Sequence, residues 1–290
     1  MAIEAIRGKR RKRRRKRGAG ISGGIMLLLI LGLNLCIFGQ VQIVAGRVHW
    51  LTKAYNTYEE IFGVSNMFGI ANYGLDGVYG KYERIQGGLV LKVPEISQAD
   101  IPTGCESVST VSVLQYLEIE ITPEEFINKY LPCEAFYRSG EVLYGPDPHK
   151  VFAGNPFTKE SLGCFPPVII RALENMMHDG YEGMGQIVFD NVSGVDLEMM
   201  EENYLAKGIP VILWITSGMR ASYPGMQYHL PDGSLYTWQA NEHCMVLCGY
   251  DKENYYFMDP QTEGQIVSYT KELVVSRYEE MGCGAVVIYR

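Results

Sequence analysis

Hydrophobic and polar residues alternate in three different ways along this chain. The first is an almost unbroken apolar run from Ile21 to Phe38, interrupted only by Ser22 and Asn34. With Gly20, Gly39 and Val41 it reaches the roughly 20 residues that cross a bilayer as a helix. The second, Arg47 to Phe68, has the spacing of a helical stalk carrying Trp50, Tyr55, Tyr58 and Phe62, and runs into glycine-rich sequence from Gly69 to Gly88, a spacer or packing arm. The third begins near Leu89 and has the pattern of a globular domain. Leu89 to Pro94 is a short strand. A helix is expected from about Gly104 to Glu118, with Val108, Val111, Val113, Leu114 and Leu117 spread around much of its circumference, so it is a buried central helix. Thr103 is placed to cap it and Glu106, three residues on, to complete a capping box.

Further helices are expected at Thr122 to Lys129, at Pro166 to His178 with a proline in the first turn, and at Asp196 to Lys207, stopped by Gly208. Tyr144 to Pro156 reads as irregular loop. Ile209 to Thr216 is a continuous apolar strand. Asp232-Gly233 marks a hairpin tip, Cys244 to Tyr250 and Tyr255 to Asp259 form another hairpin, and Gly284 to Tyr289 is the last strand. Helices first and strands later predict an α+β domain.

Charge sharpens the N-terminal reading. The formal net charge of the 290 residues is -7, but ten of the 26 Lys and Arg residues lie between Arg7 and Arg17. Beyond them 16 basic residues face 32 acidic ones, which argues against nucleic-acid binding by the folded part. A basic run before an apolar segment holds the N-terminus in the cytoplasm and sends the chain beyond that segment outside. The expected division is a basic cytoplasmic tail (1–18), a transmembrane signal-anchor (19–45), a stalk or packing arm (46–88) and a folded domain (89–290) outside the cell membrane. Cleavage of the apolar segment near Ala45-Gly46 is the alternative; either way the domain is exported. Export permits disulfides, yet the cysteine spacings form no compact framework and no CxxC metal motif; Cys133–Cys164 is a possible bridge.

Cys105 is the residue with a reason to be reactive. At the second position of a capped helix, free N–H groups and the helix dipole would favour a thiolate. Of the five histidines, His243 stands at the mouth of an apolar strand, as a scaffold presents a base. Asp259 lies 16 residues on and closes the next strand. A turn around Asp251 with an odd loop puts His243 and Asp259 on one face; a turn centred on Lys252-Glu253 puts them on opposite faces. Gln98, seven residues before Cys105, is placed to share oxyanion stabilisation with the Cys105 backbone N–H. Cys244 and Cys248 alternate away from His243 and read as core.

The stretch VPEISQADIPTGCESVSTVSVLQYL resembles the glutamine-plus-cysteine motif of the double-glycine leader peptidases, the bacteriocin-processing branch of papain-like cysteine peptidases, and is closer to their stand-alone relatives. The resemblance continues through FAGNPFTKESLGCFPP, KGIPVILWIT, EHCMVLCGYD and YYFMDPQTEG, and covers about Leu89 to Arg290. It implies a papain-like fold, with a nucleophile helix packed on an antiparallel sheet. It also implies Cys105 as nucleophile, His243 as general base and acid, Asp259 as orienter and Gln98 as oxyanion donor. Cys164 departs from the pattern, in a loop where relatives carry another residue. The implied reaction is peptide hydrolysis through a thioester, on a peptide or protein substrate, with no metal and no organic cofactor. Specificity for a double-glycine site is not implied. A non-catalytic peptide- or wall-binding domain, and a cell-wall amidase or acyl transferase, are the rival readings.

Overall fold

The computed structural model describes residues 82–290. The basic tail, the apolar segment and the stalk up to residue 81 lie outside the described residues. Among the described residues no helix is long and apolar enough to cross a membrane.

The described residues open with a hairpin, β1 (Tyr82–Ile85) and β2 (Gly88–Leu91), followed by helices α1 (Cys105–Tyr116) and α2 (Pro123–Lys129). Short strands β3 (Cys133–Glu134), β4 (Tyr137–Ser139), β5 (Val142–Tyr144) and β6 (Phe152–Ala153) lead to α3 (Pro166–His178), β7 (Val188–Asn191) and α4 (Leu197–Asn203). Then come β8 (Val211–Thr216), β9 (Tyr223–His229), β10 (Leu235–Ala240), β11 (Glu242–Tyr250), β12 (Asn254–Met258), β13 (Ile266–Thr270), α5 (Lys271–Glu280) and β14 (Ala285–Tyr289).

Eight strands make one sheet in the order β1-β2-β11-β8-β14-β7, with β12 paired to β11 and β13 to β12. Every pairing in it is antiparallel. A second sheet, β10-β9-β5-β4, stands apart, and β3 pairs with β6. The result is the expected α+β fold. Helix α1 is apolar or small on every side and all of its residues except Gln115 are buried. It packs on β11 and β8, as its all-round pattern required. Residues of α2 follow the expectation too: the Thr122 hydroxyl accepts from Glu125 N at 3.1 Å.

Several elements differ from the sequence reading: β1 extends the domain into the expected stalk or packing arm, and β4, β5 and β7 lie where no strand was expected. The helix expected over Asp196 to Lys207 is α4 followed by a separate 3₁₀ turn, Leu205–Lys207, ended by Gly208 at φ 80°. Helix α5 was not anticipated, because only Val274 and Tyr278 of its ten residues are buried and no apolar stripe marks it. The loop expected over Tyr144 to Pro156 contains β6.

The β11–β12 hairpin decides where the candidate site residues point. Its turn is centred on Lys252-Glu253: Tyr250 pairs with Tyr255, and Asp251 N donates to Asn254 O at 2.9 Å. With regular pairing, that turn would put His243 and Asp259 on opposite faces. The register does not stay regular. Gly249 pairs with Tyr256 but Leu247 with Phe257, so Cys248 is an extra residue without a cross-strand partner in this pairing. One extra residue reverses the side-chain alternation. Continued from Val246↔Met258, the shifted register sets Asp259 opposite Met245 and therefore on the face of His243. The bulge also needs glycine beside it: a Cβ on Gly249 would lie 2.6 Å from Leu89 O of the neighbouring strand.

The turn is held by one side chain. The Asp251 carboxylate accepts from Glu253 N, Asn254 N and the Tyr256 hydroxyl, each at 2.7 Å. Asp251→Ala removes all three bonds at a partly exposed site and is expected to cost about 1–2 kcal/mol. Urea unfolding should show a lower midpoint with an unchanged slope; an unaltered midpoint would show that the turn does not depend on Asp251.

Candidate active site

The structure joins two of the four expected residues directly. His243, fully buried on β11, and Asp259, 2 % exposed at the end of β12, meet with His243 Nε2 2.7 Å from Asp259 Oδ1. The same Oδ1 accepts from Gln261 N at 2.9 Å, so the carboxylate is fixed before the imidazole uses it. A carboxylate at Nε2 favours the tautomer with the proton there, which leaves Nδ1 as the basic nitrogen. Nδ1 is buried and has no hydrogen-bond partner.

Gln98 belongs to the same corner. Its backbone N donates to Pro260 O at 3.0 Å, next to Asp259. Its side-chain Nε2 donates to Pro102 O at 3.2 Å, and its Oε1 is buried without a partner. One amide hydrogen is thus committed to Pro102 and the other remains.

Cys105 begins α1, but not as expected. The cap is Gly104, without a side-chain cap bond, so Cys105 is the first helical residue rather than the second. Thr103 is drawn elsewhere. Its hydroxyl lies 3.2 Å from Pro156 O and 3.0 Å from Thr158 O, and its N–H donates to Pro156 O at 3.2 Å. Those bonds strap the Pro156–Thr158 loop to the turn before Cys105. Glu106 makes no capping box either; it is fully buried. Its Oε1 accepts from Cys164 N at 2.6 Å and its Oε2 lies 3.3 Å from Cys105 Sγ. The thiol is therefore bonded to a carboxyl and not to His243.

Strand alternation places Glu242 and Cys244 opposite to His243, and both crowd the same thiol. Burial pushes the Cys105 thiol well above its ordinary range; Glu106, Glu242 and Cys244 add to that, and a hydrogen bond from the Cys244 backbone opposes it. The lowered thiol pKa expected at a helix start is thus reversed, because desolvation and two carboxyls outweigh the first turn of α1. Burial also raises Glu106 to about 7, against hydrogen bonds from Cys164 and from its own backbone. Burial and then the Glu106 charge hold Glu242 well above the carboxylate range.

Cys105, Glu106 and Glu242 have ligand-type atoms within 4.8 Å of one another. Within that group the thiol is bonded to the Glu106 carboxyl at 3.3 Å. Glu106 and Glu242 were missed as site residues. The available signal was their adjacency: a glutamate follows Cys105 and a glutamate precedes His243.

The remaining cysteines form no bridge. Cys133, Cys164, Cys244, Cys248 and Cys283 are free, as is Cys105. Cys244 and Cys248 are buried as expected. Helix α1 is pinned to the histidine strand by Ser109 Oγ donating to Cys244 O at 3.1 Å, so the candidate nucleophile and base ride on directly bonded elements.

A glutamate in the unfolded chain releases its proton near 4.5, whereas folded Glu106 keeps it to about 7. The folded state then binds more protons between those values. The Glu106 contribution to stability is full below about 4.5 and is lost as pH rises through about 7. The thermal midpoint of the wild-type domain should therefore fall more steeply across this window than that of Glu106→Gln. Parallel curves for the two proteins would contradict the buried, proton-holding carboxyl.

Comparison with known proteins agrees with this architecture. The chain is 27% identical over 203 residues to the uncharacterized protein YvpB of Bacillus subtilis (strain 168), which is 67% of this chain and 73% of that one. The crystal structure of a candidate C39-like peptidase from Bacillus anthracis superposes with a TM-score of 0.56 at 22% identity, over 69% of this chain and 95% of that one, a likeness of fold. The profile of the Peptidase_C39 like family matches residues 90–286, and the chain belongs to that family.

Proposed function

We propose that the chain is a cysteine peptidase, anchored in the cell membrane by its N-terminal apolar segment, with the catalytic domain outside. The observation that carries this reading is the buried His243–Asp259 pair with an unpartnered Nδ1. A desolvated imidazole oriented by a carboxylate and left with a free basic nitrogen is the arrangement general-base catalysis needs. Membership of a C39-like family and a candidate nucleophile on the helix bonded to the histidine strand support it. Anchoring and export rest on the basic run before the apolar segment.

The reaction uses these groups in turn. Cys105 Sγ swings from Glu106 toward His243 and loses its proton to Nδ1 as it attacks the scissile carbonyl carbon. The Cys105 backbone N–H and the uncommitted Gln98 amide hydrogen hold the oxyanion. His243 returns the proton to the leaving amine, which departs as the C–N bond breaks and leaves a thioester. Water, deprotonated by His243, hydrolyses the thioester and restores the thiol. Asp259 keeps the imidazole in register through both steps.

A non-catalytic peptide- or wall-binding domain is the second reading, favoured by the thiol's bond to Glu106 in place of His243. Peptide libraries and wall fragments offered to the full chain separate the two, and also separate peptide cleavage from wall amidase or transferase chemistry. The peptidase reading expects Cys105→Ala to lower turnover at least about a thousandfold, and Asp259→Asn about 10²–10⁴-fold. Undiminished turnover in Cys105→Ala would sink the mechanism, and binding without cleavage by the wild type would favour the binding domain.

A further inference from the structure

Glu106 occupies a place that a buried acid does not take without a partner. It is fully buried one residue after Cys105, and taking a carboxyl out of water is costly unless its oxygens are bonded. One oxygen is clamped: Oε1 accepts the Cys164 N–H at 2.6 Å. That clamp aims Oε2 at Cys105 Sγ, 3.3 Å away. Gly163 leaves the room, since a Cβ there would lie 2.5 Å from Glu106 Oε1 and 3.4 Å from Glu242 Oε2. Glu242 keeps part of its side chain at the surface, while its Oε1 is buried and unpartnered. Across the strand, His243 Nδ1 also lacks a partner. The thiol is bonded to the carboxyl.

We propose that Glu106 is a positioning residue that holds the Cys105 thiol in a resting, protonated state, off His243, until a substrate displaces that bond. The inference rests on the peptidase reading of this site, which it deepens by adding a restraint on the nucleophile. In the resting state S–H donates to Oε2. On release the thiol is free to give its proton to Nδ1; the S–H bond breaks as N–H forms. The groups facing the thiol are Glu106 on its own helix and Glu242 and Cys244 from β11; Cys164, from the loop before α3, and Cys133 of β3 act on Glu106. These neighbours disfavour a thiolate, as does burial.

The test is the pH dependence of Cys105 alkylation by iodoacetamide in the full chain, read as the modified Cys105 peptide by mass spectrometry. No substrate is involved, so the result stands apart from peptide turnover. Glu106→Gln keeps an oxygen for the Cys164 N–H and removes the charge beside the sulfur. The midpoint of its alkylation profile should fall by about one pH unit or more, with about tenfold faster labelling at neutral pH. A profile superimposed on that of the wild type overturns the proposal. So does a lower melting temperature with an unchanged midpoint, because that is the result of a packing role alone. If Glu106→Gln does not fold, Glu106→Asp withdraws the carboxyl by one methylene and should move the midpoint in the same direction by less; no movement overturns the proposal. A shifted profile in a chain that cleaves no peptide would uphold the restraint and overturn the peptidase reading.

Discussion

One unpaired residue, Cys248, sets the chemistry of this domain. A β-strand alternates its side chains with a period of two, so the parity of the β11–β12 hairpin decides whether His243 and Asp259 share a face. The four-residue turn gives the wrong parity and the bulge at Cys248 restores the right one. Everything at the site depends on that correction. Asp259 reaches His243, the backbone carbonyl of Pro260 next to it takes the Gln98 N–H, and α1 lies across the same strand through Ser109. Gly249 beside the bulge keeps β2 close enough to cover this part of the sheet.

Burial then sets the electrostatics. The acidic side of the site is buried, and burial favours the neutral form of an acid. Cys105, Glu106 and Glu242 all shift in that direction, and they shift one another, because each is an acid. Strand alternation turns His243 to the other side of β11, where it meets Asp259. Two environments lie back to back on one strand: a proton-holding acidic side at Glu242 and Cys244, and a basic side at His243. Cys105, the candidate nucleophile, lies against the acidic side at the start of α1. On the proposed peptidase reading, the thiol rests on the acidic side and reacts only once it leaves Glu106.

Much of this was legible in the sequence, for physical reasons that differ by element. The all-round apolar pattern of α1 named a buried helix, and a proline-led start gave α3 its boundaries from Pro166 to His178. The identity of the His243–Asp259 pair was also legible, through the apolar hairpin and the family resemblance. The means of pairing was not: turns of either parity fit the sequence, and a bulge leaves no mark in a run of buried residues such as His243 to Gly249. The cap on α1 was misread because Thr103 has a better offer from the Pro156–Thr158 loop, some fifty residues away in sequence. Glu106 was misread for the same reason: a local motif predicts a capping box, and tertiary structure turned the side chain inward to Cys164. Helix α5 escaped because so little of it is buried.

The central claim is that Asp259 holds the proton of neutral His243 on Nε2 and leaves Nδ1 bare for Cys105. Nitrogen-15 NMR of the His243 ring, at a pH where it is neutral, tests this directly. The account predicts a protonated, pyrrole-type Nε2 and an unprotonated, pyridine-type Nδ1, with that distinction weakened in Asp259→Asn. A proton found on Nδ1 in the wild-type protein would contradict it, since no base would then face the nucleophile.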